Sequence, residues 1–112
     1  MSESVFQSID HTELDRLLAE APQAPIVIKV TASFCQPCKM MAPRLEVTAS
    51  QYPSVSFYQI QADASPEQMS AVKAQNVRTV PTLIAINGED QKRYEGAMAD
   101  MALAQWLKRT TA

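Results

Sequence analysis

Little in this chain can staple, ligate or cleave. Its 112 residues include two cysteines, one histidine, two glycines and one tryptophan. Structural zinc takes four nitrogen or sulfur ligands, and Cys35, Cys38 and His11 fall short of that set. A metal ion or iron–sulfur cluster would need a second copy of the chain, so no metal or other cofactor is expected. His11 reads as an exposed polar residue near the start of the first helix, and without a second histidine a Cys–His hydrolase is disfavoured. Long apolar runs are missing as well, and nothing approaches the roughly 20 consecutive residues of a membrane span. No sign of charge dominates: a formal net charge of −2 makes neither nucleic acid nor an anionic membrane an expected partner. The opening Met1-Ser2-Glu3-Ser4 is acidic and polar, so a secretory leader is not expected, and two cysteines then point to a reducing, cytoplasmic setting. No repeat, low-complexity tract or long linker divides the chain, which implies one domain over residues 1–112, monomeric by default. Its 46% hydrophobic and 20% charged content is ordinary for a soluble globular protein that buries a core without staples.

What is present is concentrated in Phe34-Cys35-Gln36-Pro37-Cys38-Lys39-Met40-Met41-Ala42-Pro43. This stretch follows the apolar run Ile26-Val27-Ile28-Lys29-Val30 and precedes a pattern that suits a helix, Met40-Met41-Ala42, Leu45 and Val47. The pair therefore sits where a strand hands over to a helix. Pro37 suits the first helical turn, where its missing N–H costs nothing. Cys35 would lie at the helix N-terminus, where unpaired N–H groups and the dipole favour an anion such as a thiolate, the nucleophilic form of cysteine. Cys-X-X-Cys in this context reads as redox-active or metal-binding.

Around the pair, the chain reads as alternating strands and helices. Val5 to Ile9 is a short strand candidate, and Asp10 with Glu13 forms a capping-box-like start for a helix with Leu14, Leu17 and Leu18 on one face. Ile26 to Val30 suits a central strand covered on both faces. The next helix should run from Pro37 to about Tyr52, kinked at Pro43 and stopped by Pro53. Val55 to Ile60 is a strand, and Ser65 caps a helix to about Gln75. Leu83 to Ile86 and Gln91 to Glu95 flank Asn87-Gly88, a strong hairpin signal, and Gly96 breaks the second strand. A last helix, about Ala99 to Arg109, carries Leu103, Trp106 and Leu107 on one side. Trp106, Met98 and Met101 at that spacing read as core rather than contact surface, and Lys92-Arg93 reads as a solvated strand end. The order β-α-β-α-β-α-β-β-α implies parallel pairing at the front and an antiparallel pair at the end.

This order, with Cys35-Gln36-Pro37-Cys38-Lys39, Pro43, Val80-Pro81-Thr82 and Asn87-Gly88, resembles the thioredoxin family over nearly the whole chain. The resemblance implies an α/β thioredoxin fold, a central mixed sheet flanked by helices. It implies that Cys35 is exposed, Cys38 is more buried and the Val80–Pro81 peptide bond is cis and packs against the pair. It also implies that Thr79, Val80 and Pro81 pair with an extended substrate backbone, in a groove lined by Phe34, Gly96 and Ala97. The implied chemistry is reduction of disulfide-containing proteins by Cys35 and Cys38, with an NADPH-dependent flavoprotein as reductase. A more oxidising exchanger, or a binding or chaperone module, is the alternative.

The chain departs from the usual Trp-Cys-Gly-Pro-Cys. Phe34 keeps an aromatic wall but loses the indole donor, and Gln36 adds a polar side chain beside the nucleophile and Pro37. Lys29 stands where the family carries a buried aspartate, and Gln59 stands at the position of that aspartate's lysine partner. The bland reading of Lys29 is a packed stem with its amine at solvent. The functional reading is that its charge reaches Cys38, stabilises a thiolate and makes the pair more oxidising than ordinary thioredoxin.

Overall fold

A computed structural model describes residues 4–20, 24–96 and 100–111. Along the chain the elements are β1 (Gln7–Ser8), α1 (His11–Ala19), β2 (Ile26–Thr31), α2 (Gln36–Ala49), β3 (Ser56–Gln61), α3 (Pro66–Ala74), β4 (Thr82–Asn87), β5 (Asp90–Glu95) and α4 (Asp100–Thr111). The β-branched run at 26–30 becomes the middle strand of five, in the order β1-β3-β2-β4-β5. The β1, β3 and β2 strands run parallel, whereas β4 is antiparallel to both β2 and β5. Asn87-Gly88 makes the β4–β5 hairpin, with Gly88 at φ +65°.

Alternation along the strands separates two cores. Val27, Phe57, Leu83 and Ala85 turn to one face, where they pack with Met41 and Leu45 of α2 and with Leu103, Trp106 and Leu107 of α4. Ile26, Ile28, Val30 and Ile84 turn to the other, against Leu14 and Leu17 of α1 and Val72 of α3. A fully buried leucine or isoleucine contributes about 1.5–3 kcal/mol, so these two layers dominate the stabilisation. Trp106 is buried and meets Tyr94 edge-on at 6.4 Å between centroids, in keeping with a core role. Met98, the side chain of Met101 and Ala97 lie outside the described residues. Among the described residues, no helix is long and apolar enough to cross a membrane.

Local signals hold at most boundaries. Asp10 accepts from the Glu13 amide at 3.0 Å and Ser65 from the Gln68 amide at 3.1 Å, capping α1 and α3. Four expectations need correction. The first strand shortens to Gln7–Ser8, because the Val5 amide donates instead to the Glu46 carboxylate at 2.7 Å and the Phe6 amide to Ser4 Oγ at 3.0 Å. The α2 helix runs through Pro43 but ends at Ala49; its last turn tightens as the Gln51 and Tyr52 amides bond three residues back, since Pro53 disfavours helical backbone at Tyr52. Arg93 is not simply solvated: its guanidinium is half-buried and donates to the Gln75 carbonyl at 2.5 Å, fastening β5 to the end of α3. His11 is half-buried rather than exposed.

Candidate functional site

Strand register gathers the chemistry-bearing loops at one end of the sheet. Val30 pairs with Thr82, the first residue of β4, and Thr82 pairs with Glu95, the last of β5. Thr31 pairs with Gln61, the last of β3. The segments after β2, after β3, before β4 and after β5 therefore emerge side by side, outside the carboxyl ends of the parallel strands. Backbone bonds tie them: Cys35 N–H to the Ala32 carbonyl at 3.3 Å, Ala62 N–H to the Thr31 carbonyl at 2.8 Å, and Gly96 N–H to the Pro81 carbonyl at 2.8 Å.

Cys35 is the N-cap of α2, in extended backbone, and its Sγ accepts from the Cys38 amide at 3.1 Å. One of the otherwise unpaired N–H groups of the first turn thus points at the sulfur, with the positive end of the helix dipole behind it. Pro37 lies in that first turn, where its lack of an N–H is harmless. The two cysteines are joined as a disulfide, with Cα atoms 5.2 Å apart. Their burial departs from the resemblance: Cys35 is 6% exposed and Cys38 7%, so in the disulfide state neither is open to solvent. The neighbouring Phe34 is 95% exposed, and Gln36 and Pro37 are exposed as well.

The Val80–Pro81 bond is cis, as the resemblance implies. Pro81 is fully buried, Val80 half-buried and Thr79 exposed, and Thr82 Oγ1 donates to the Thr79 carbonyl at 2.7 Å. Gly96 adopts φ +87° and bonds to Pro81.

Lys29 is buried on the sheet face that α2 covers, beside Val27 and Leu83, with Gln59 next to it on β3. Its ammonium lies 4.4 Å from the centroid of the Phe6 ring. Burial pushes its pKa down from the ordinary 10.5, and the Glu46 carboxylate on α2 partly opposes that shift. Gln59 Nε2 donates to Ser8 Oγ at 3.2 Å and to the Phe6 carbonyl at 3.4 Å rather than to a charged partner.

Asp63 escapes a reading of the sequence. The Ser33 amide and hydroxyl both donate to its carboxylate, which holds the acid below its ordinary value of 3.8. The contact spans 30 residues, and no motif joins the two. Among the described residues, no three His, Cys, Asp or Glu side chains cluster as a metal site.

A disulfide whose first sulfur caps a helix, set between loops at the carboxyl end of a mixed sheet, is an arrangement suited to thiol–disulfide exchange. Comparison with known proteins agrees. The thioredoxin family model matches residues 5–109, and the chain belongs to that family. It is 40% identical to thioredoxin C-3 of Corynebacterium nephridii over 74% of this chain, a match that spans only 56% of that relative's length. It is 35% identical to thioredoxin-2 of Saccharomyces cerevisiae over 83% of this chain and 86% of that one. The crystal structure of oxidised thioredoxin O2 from Arabidopsis thaliana superposes with a TM-score of 0.81 at 25% identity, over 97% of this chain and 96% of the other.

Proposed function

We propose that the chain reduces protein disulfides through Cys35 and Cys38. The observation that carries this is the Cys35 sulfur held at the N-cap of α2, bonded to Cys38 and accepting its amide. In the reduced state the Cys35 thiolate attacks one substrate sulfur and expels the other as a thiolate, forming a mixed disulfide. The Cys38 thiolate then attacks Cys35 Sγ and releases the second substrate thiolate. Two electrons pass to the substrate, its two sulfurs take up protons, and the Cys35–Cys38 bond re-forms. Return to the dithiol needs a two-electron donor, for which an NADPH-dependent flavoprotein is the proposed partner.

Phe34, Gln36, Pro37, Thr79, Val80, Pro81 and Gly96 form the proposed docking surface for an extended substrate strand. Support comes from the register that brings their loops together and from the exposure of Phe34. Lys29 is proposed to tune the pair, because a buried cation on the face covered by α2 favours thiolates on that helix. A monomer acting in the cytoplasm completes the reading.

Insulin-disulfide reduction tests the cycle. Cys35→Ser abolishes turnover, and Cys38→Ser accumulates mixed disulfides with substrate. Turnover surviving in Cys35→Ser overturns the reading. For the tuning role, Lys29→Asp shifts the reduction potential to more reducing values, and an unchanged or less reducing value removes Lys29 from the mechanism.

A further inference from the structure

Lys29 is 6% exposed, and its strand partners Leu83 and Gln59 offer it no counter-charge. Its ammonium is met from two other places. The centroid of the Phe6 ring, buried and packed edge-on against Phe57, lies 4.4 Å away. Glu46 of α2 supplies the opposing charge. The same carboxylate holds the N-terminal segment: it accepts from the Val5 amide at 2.7 Å and from the Ser4 hydroxyl. Gln59 Nε2 donates to the Phe6 carbonyl at 3.4 Å, so the ring and the carboxylate are fixed together around the cation.

Helix spacing puts Glu46 in line with the redox pair. Cys38, Ala42 and Glu46 follow at four-residue intervals, so they share one ridge of α2, with a rise of about 6 Å at each step. Because β2 and β3 are parallel, α2 runs back along the sheet from the end of β2. Lys29 lies two residues, about 7 Å, before that end. It therefore stands alongside the second turn of α2, with Cys38 toward one side and Glu46 toward the other. Ala42 between them is small, and a flexible four-carbon stem can carry the ammonium either way. With the cysteines joined as a disulfide, the sulfurs carry no charge, and the ammonium sits at the Phe6 ring.

We propose that Phe6 and Glu46 are positioning residues for the exchange reaction: they hold the Lys29 ammonium away from Cys38 while the disulfide is intact and yield it to the Cys38 thiolate on reduction. The proposal rests on the tuning role given to Lys29 above and names the groups that govern it. Two-electron reduction cleaves the Cys35–Cys38 bond, and the Cys38 sulfur, left as a thiolate, becomes a second anion on the ridge. Two anions then compete for one cation. Whatever weakens the hold at Phe6 and Glu46 strengthens the pull at Cys38 and makes the pair more oxidising. The coupling is reciprocal, so the redox state also decides where the ammonium rests.

The test equilibrates the full chain with glutathione at neutral pH. The parent is compared with Lys29→Met, Glu46→Gln and Phe6→Leu, and with the last two each combined with Lys29→Met. Lys29→Met should favour the disulfide. Glu46→Gln should favour the dithiol several-fold, and Phe6→Leu should act in the same direction. In the Lys29→Met background the Phe6→Leu effect should vanish. The Glu46→Gln effect should shrink there to the direct action of the carboxylate on the thiolate. A second measurement needs no variant: the Lys29 ε-methylene protons, shifted upfield by the Phe6 ring in the disulfide form, should move back toward the ordinary lysine position on reduction. If Lys29→Met shifts the equilibrium but the other two changes act equally with and without it, the positioning role falls and the tuning role stands. An equilibrium unmoved by Lys29→Met overturns both. If Phe6→Leu does not fold, the Glu46→Gln comparison and the proton shift decide, and a shift unchanged on reduction refutes the proposal.

Discussion

The Ser33 amide donates to both carboxylate oxygens of Asp63, at 3.0 and 3.2 Å, and the Ser33 hydroxyl donates to the same group. Two residues before the nucleophile, the loop after β2 is thereby moored to the segment after β3. Those bonds fasten the start of the segment that carries Phe34 and Cys35, the former proposed above to dock substrate.

The mooring has a pH signature. Asp63 is held below its ordinary 3.8 by the bonds from Ser33, so the folded state prefers the ionised form. Stability from this pair is present above that ordinary value and is lost as pH falls through the lowered one. The difference in melting temperature between the parent and Asp63→Asn should be steady at neutral pH and vanish on the acid side of 3.8. A difference unchanged into strong acid contradicts this.

Lys29 works in the opposite direction. Burial lowers its pKa from 10.5, so the folded state holds the proton less tightly than the unfolded chain. The penalty is full below the lowered pKa, and stability rises as pH climbs from there toward 10.5. Lys29→Met should stabilise the fold at neutral pH, by up to about 4 kcal/mol on the scale seen when buried ionic groups are replaced by apolar side chains of similar volume. That advantage should shrink in alkali. Denaturant midpoints of both proteins across alkaline pH check it, and parallel curves would count against a buried charged amine.

Gly96 isolates a backbone cost. A Cβ there would meet nothing within 4 Å, yet the residue holds φ +87°. Gly96→Ala should therefore lower stability by about 1–2 kcal/mol through conformation alone. A loss under about 0.5 kcal/mol, ordinary for a surface change, would show that the segment relaxes.

Phe34, 95% exposed, separates docking from folding. Phe34→Ala should leave the unfolding free energy within about 0.5 kcal/mol of the parent while slowing insulin reduction several-fold. Equal turnover would remove Phe34 from the docking surface.

The cysteine pair at a strand-to-helix junction, the Asp10 and Ser65 caps, the Asn87-Gly88 hairpin and the apolar faces of the strands are all legible along the chain. Each is written within a few residues, at the range of a helical turn or a tight turn. The family motif added the cis Val80–Pro81 bond, which composition does not announce.

What lay beyond the sequence joins distant segments. Glu46 draws the Val5 amide out of the sheet, Arg93 reaches the end of α3, and Ser33 finds Asp63. The order β1-β3-β2-β4-β5 belongs with these. Periodicity and capping act through neighbours on the chain and so can be read from it. Partners 18 to 41 residues apart meet only when sheet register and helix packing bring them within reach, and no local pattern encodes that meeting.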